Sequence, residues 1–188
     1  MLARLAAMLA AALAAGHGCA VDGPRGADLA PAAMLSGFDF TAPAGRWRLP
    51  DRLAEVSGLV DDGAGGLLAH HDNGAALWRL TLGPTLRADP LPGDSSPPGD
   101  FEGIARRDGT LWLLASPGLV YRSSITPAGT TAWQQVPATA RGACGFEGIE
   151  TGPDGGLLLA CKYPQNPQPG LVWLYRLPAE GGAAEAMA

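Results

Sequence analysis

Four carboxylates, Glu55, Asp100, Glu102 and Glu147, recur at matching places in the sequence, and acidic side chains so placed suggest a seat for a hard cation. Phe101-Glu102-Gly103-Ile104-Ala105 returns as Phe146-Glu147-Gly148-Ile149-Glu150 and, more loosely, as Val56-Ser57-Gly58-Leu59-Val60. Aligning the glycines puts Ser57, Glu102 and Glu147 in one position, and Glu55, Asp100 and Gly145 two residues earlier. Residues i and i+2 of a strand share a face, so the four carboxylates are expected to project together. Clustered carboxylates repel unless a cation neutralises them, and oxygen ligands suit Ca²⁺. A second reading has each glutamate accept backbone N–H bonds from a neighbouring unit and lock the fold.

His70-His71-Asp72-Asn73 is the other chemically active stretch. An imidazole beside a carboxylate can act as a general base, which makes His70 and His71 catalytic candidates. The same residues before a glycine also read as an Asx-type turn. Lys162 stands where Asp72 and Ser116 stand in the other units; it could meet an anionic ligand or pair with Glu147 across a hairpin. No phosphate-binding glycine loop, G-x-S-x-G elbow or H-E-x-x-H is present.

The elements that must position these residues follow from the spacing. The glycines lie at 58, 103 and 148, a step of 45 residues each time, and a fixed period of that size marks propellers and other repeat architectures. After each glycine come a Gly/Asp turn, an apolar run (Leu67–Ala69, Leu111–Leu114, Leu157–Ala160) and a strand ending aromatic-arginine (Trp78-Arg79, Tyr121-Arg122, Tyr175-Arg176). A fourth strand is expected at 85–91 and 133–136. The fold expected is all-β: a partial β-propeller of about three four-stranded antiparallel blades, at 54–98, 99–143 and 144–188. The end of the third unit, after Leu177, lacks strand character, whereas Phe38–Phe40 and Arg46–Leu49 suggest one or two strands before the first. Three blades do not close a ring, so the chain is expected to be a truncated or frameshifted product of a longer gene, the alternative being two copies combined; uncovered blade faces predict self-association.

Ahead of the blades, residues 1–20 read as an export signal, with a short basic start and an apolar stretch from Leu5 to Ala15 too short to span a bilayer. Cys19 after Gly18 resembles the acylated cysteine of lipoproteins, which would make a lipid anchor the chain's membrane contact; ordinary cleavage is the alternative. Residues 21–36 read as a flexible tether. The expected place is therefore the periplasm or the cell envelope. The spacing of Cys144 and Cys161 puts them about 10 Å apart along a regular hairpin, and they are expected to stay unpaired. A net charge of −5 provides no basic footprint for nucleic acid.

The blocks E-V-S-G-L with L-L-A-H-H-D-N, D-F-E-G-I-A, and F-E-G-I-E with L-L-L-A-C-K resemble the SdiA-regulated propeller family and the neighbouring phytase-like esterase domains, over about Glu55 to Arg176. The resemblance implies a six-bladed propeller of an exported bacterial protein, in some members with calcium in the central channel. On that reading the chain binds a small ligand or an envelope protein; the alternative it implies is a calcium-dependent hydrolase of esterase or lactonase type.

Overall fold

The computed structural model describes residues 43–93, 97–137, 144–164 and 173–187. The export segment, Cys19, the tether and the segment at 38–40 lie outside them. Two compact units are distinguished, Met1–Arg48 and Leu49–Ala188. Of the first, residues 43–48 are described and contain no strand, so the strand expected at 46–49 is not formed; a single 3-10 turn, Asp51–Leu53, follows instead.

The second unit is built almost wholly of antiparallel strands. Sheet 1 holds β1 (Val56–Asp61), β2 (Leu67–His71), β3 (Gly74–Thr81) and β4 (Arg87–Pro90), paired in chain order. Sheet 2 holds β5 (Phe101–Arg107), β6 (Thr110–Ala115), β7 (Leu119–Thr126), β8 (Gly129–Thr130) and β9 (Gln134–Gln135), its outer edge divided between the last two, which both pair with β7. Sheet 3 holds β10 (Cys144–Thr151), β11 (Leu157–Pro164), β12 (Trp173–Leu177) and β13 (Glu185–Ala186). β13 corrects the expectation that the chain after Leu177 has no strand. Only two residues long, it is held by backbone pairing of Tyr175 with Ala186 and Arg176 with Glu185, which requires no apolar side chains.

The apolar second strands β2 and β6 lack alternation because both of their faces are covered. Val60, Leu68 and Leu77 of sheet 1 pack on Phe101, Ile104, Leu111 and Leu113 of sheet 2. The other face of sheet 2, with Ala105, Trp112, Leu114 and Val120, packs on Phe146, Ile149, Leu157, Leu159 and Leu177 of sheet 3. The matching outer face of sheet 3 is less protected: Gly148, Leu158 and Ala160 are half-buried and Leu174 is 41% exposed.

Each letter of the repeated motif has a separate physical task. Phe101 and Phe146 are fully buried and meet Tyr121 and Tyr175 of their own sheets edge-on, with centroids 5.8 and 5.4 Å apart. The residue before the glycine is the extra residue of a β-bulge in every sheet: pairing jumps from Val56↔His71 to Gly58↔His70, from Phe101↔Ala115 to Gly103↔Leu114, and from Phe146↔Cys161 to Gly148↔Ala160. Two of these glycines, Gly58 and Gly103, are required by close approach of their neighbours, the His70 ring included at Gly58. A Cβ on Gly58 would lie 3.0 Å from Ile104 Cγ2, and one on Gly103 would lie 3.0 Å from Ile149 Cγ2. Each isoleucine thus fills the space left by the glycine of the preceding sheet.

Cys144 and Cys161 form a disulfide with Cα atoms 5.7 Å apart, which overturns the expectation that they stay unpaired. A regular hairpin would separate them by three residues. The bulge at Glu147 instead brings Phe146 opposite Cys161, and a second slip follows between Gly145 and Phe146. That leaves Cys144 two residues from Cys161's partner on a kinked strand, inside the roughly 7 Å reach of a disulfide.

Candidate metal centre

The turn from β2 to β3 in sheet 1 and the start of β1 meet at one end of the sheet, and this is where donor atoms gather. The Asp72 N–H donates to the Glu55 carbonyl at 3.4 Å, and the Phe101 N–H donates to the Asp72 carbonyl at 2.7 Å. Sheet 2 repeats the connection: Ser116 N–H donates to Asp100 at 2.8 Å, and Phe146 N–H to Ser116 at 2.9 Å. Backbone bonds therefore hold the β2–β3 turn of one sheet against the first strand of the next.

On that scaffold Glu55, His71 and Asp72 bring one ligand atom each to within 4.8 Å of one another. His71 Nδ1 is 3.1 Å from Asp72 Oδ1 and 4.0 Å from Glu55 Oε2. His71 Nδ1 and Asp72 Oδ1 are hydrogen-bonded to each other; donors bound at about 2.1 Å to one cation stand roughly 3–4 Å apart, a range that takes in both distances from His71. Asp72 is oriented by Asn73, whose backbone N–H and side-chain amide donate to Oδ1 at 2.6 and 2.7 Å. Glu55 is largely exposed, while His71 and Asp72 are about one quarter and one third exposed, which leaves the group open to solvent on one side.

The other carboxylates take different places. Glu102, the bulged residue of β5, is half-buried, and its carboxyl is held above the ordinary range first by burial and then by the charges of Glu147, Asp100 and Asp72, against an opposing effect of Lys162. Glu147 faces Lys162 of β11, with Nζ 3.3 Å from Oε2. Asp100, Glu102 and Glu147 are thus near enough to interact, but among the described residues they form no set of three donors at ligand spacing. Residues 57, 102 and 147 are the extra residues of the bulges, where the regular alternation of the first strands is interrupted.

His70 is separated from its neighbour by burial. It is 0% exposed, its Nδ1 is 3.0 Å from the His71 carbonyl, and its Nε2 is buried without a partner against the backbone of Gly58. Burial pushes its pKa below the ordinary imidazole range, so it packs as a neutral ring. The repeat alone does not separate the two histidines: His70 aligns with buried Leu114 and half-buried Ala160, whereas His71 aligns with Ala115 and Cys161, both buried.

No family model matches the chain, and no curated protein matches it in sequence.

Proposed function

We propose that the chain is an exported cell-envelope protein of β-propeller type that binds a divalent cation at Glu55, His71 and Asp72 and, through it, a small ligand or a partner. The observation that carries this reading is the convergence of an imidazole and two carboxylates on one solvent-facing sheet end. Stacked antiparallel units at a 45-residue step support the propeller architecture. The apolar leader and the Cys144–Cys161 disulfide both support an oxidising compartment outside the cytoplasm. The half-buried outer face of sheet 3 supports association with a second copy.

The imidazole bears on which cation is bound. Calcium takes an all-oxygen set of six to eight ligands, whereas one nitrogen and two carboxylates with open positions suit Zn²⁺ or Mn²⁺. Melting curves of the purified chain with ZnCl₂, MnCl₂ or CaCl₂ test this. The first two are expected to raise the midpoint, by an amount corresponding to about 2.7 kcal/mol at a hundredfold excess over Kd, and His71→Gln and Asp72→Asn are expected to abolish the rise. An unchanged midpoint with every cation rejects the centre.

Metal-assisted hydrolysis is a second reading, favoured by the position of Glu102 close enough to Asp72 to sense its charge, with a carboxyl that burial and acidic neighbours hold above its ordinary value. It requires an esterase, lactonase or phosphatase activity that is lost in Glu102→Gln; cation binding without turnover leaves the binding role alone.

A further inference from the structure

At the opposite end of β1, sheets 1 and 2 enclose an open cleft of about 520 Å³, lined by Asp62, Gly63, Arg79, Arg106, Ile125 and Thr126 among others. Its two arginines differ from the other arginines at comparable places. In sheet 3, the third-strand Arg176 Nε donates to Asp154 Oδ2 at 2.7 Å; in sheet 2, Arg122 Nη1 donates to Glu180 Oε2 at 2.8 Å. Arg107 donates to the Gly152 carbonyl at 2.8 Å and so closes the turn of sheet 3. Arg79 comes no closer than 3.4 Å to Asp62 at Nε, and that nitrogen is buried without a hydrogen bond. Arg106 has no hydrogen bond or ion pair among the described residues, and its Nε is likewise buried and unpartnered.

The surroundings hold both guanidinium groups in place without satisfying them. Arg106 lies flat on Gly63, where any Cβ would collide with it, and the glycine's φ of +78° permits that turn. Asp62 is only 4% exposed at its side chain, and its Oδ1 is committed to the N–H groups of Ala64 and Gly66, each at 2.8 Å. Among the described residues, Asp62 is the one carboxylate lining the cleft beside the two guanidinium groups, and the neighbouring Asp61 carboxylate is held by the Gly63 N–H at 2.6 Å. Planar guanidinium donors match oxyanions in bidentate geometry.

We propose that this cleft binds the oxyanion head of a small molecule, carboxylate or phosphate, with Arg106 as the main contact and Arg79 as the second, while the Ile125 wall covers an apolar part of the ligand. The site is distinct from the cation centre and does not depend on it.

Titration calorimetry of the full chain in EDTA, with sodium succinate in one arm and inorganic phosphate in the other at constant ionic strength, tests the proposal. Saturable binding of either anion is expected, the tighter arm identifying the head group. Arg106→Gln should weaken it at least tenfold, and Arg106→Lys, which keeps the charge but not the fork, should recover only part of the loss. Arg87→Gln, which removes an exposed arginine paired with Asp89, should leave binding unchanged. Binding by neither anion, equal binding by the parent and Arg106→Gln, or equal losses in Arg106→Gln and Arg87→Gln would each overturn the assignment.

Discussion

Glu102 and Asp154 show how two carboxylates on one scaffold act oppositely on stability. Glu102 is pushed upward by burial and by its acidic neighbours, so the folded chain holds its proton more tightly than the unfolded chain. Its favourable contribution is present below the ordinary value of 4.5 and is withdrawn as pH rises through the higher folded value. Asp154 is pulled downward by the Gly156 N–H and then by Arg176, so its contribution is present at neutral pH and is lost on acidification. Glu102→Gln should accordingly raise the urea midpoint at about pH 7 and remove the decline that Glu102 causes above its ordinary range. Parallel denaturation curves of parent and variant between about pH 4 and pH 7 check this; identical slopes would return Glu102 to the ordinary carboxylates. The same crowding explains why a carboxylate cluster could be foreseen while its ligand set could not. Residue type marks the charge, but which three donors meet is decided by strand register.

Register is a property of the elements, and there the glycines provide the sharpest test. Gly103→Ala would place a Cβ 3.0 Å from Ile149 Cγ2 and 3.1 Å from the Ile149 backbone nitrogen, so the first strands of sheets 2 and 3 must separate. A loss of about 1–3 kcal/mol is expected. Gly148→Ala meets only Ala160 Cβ, at an ordinary 3.4 Å, and should change stability by less than about 0.5 kcal/mol. Chemical denaturation of both variants checks the pair; equal costs would show that the glycines serve local backbone freedom instead. The three-sheet plan was legible because period, turn residues and apolar runs agree at each step, and β2, β6 and β11 lie on the runs that mark them. The bulges were not legible: neither Ser57, Glu102 nor Glu147 is a residue that demands one, and the following glycines have no positive φ to betray it. From that omission came the misplacing of Cys144 relative to Cys161. β13 escaped for the opposite reason, since a two-residue edge strand leaves no pattern in side chains.

At the scale of the molecule the disulfide closes a loop with a sequence separation of 17 residues within sheet 3. Chain entropy assigns such a loop about 3 kcal/mol, so reduction, or Cys161→Ala, should lower unfolding stability by about 2–4 kcal/mol. Alkylation in denaturant without reductant should label neither Cys144 nor Cys161; labelling of both would remove the bond. Sheets 1 and 2 are each covered by the sheet that follows: Leu68 and Leu77 wait for Phe101 and Leu113, and Leu114 and Val120 wait for Phe146 and Leu159. Synthesis runs in that direction too. A ribosome adds one 45-residue unit in a few seconds, and for that interval the newest sheet presents a full apolar face with its cover still untranslated. The stacking that gives the finished protein its core thus makes each nascent unit, in turn, a client for chaperones.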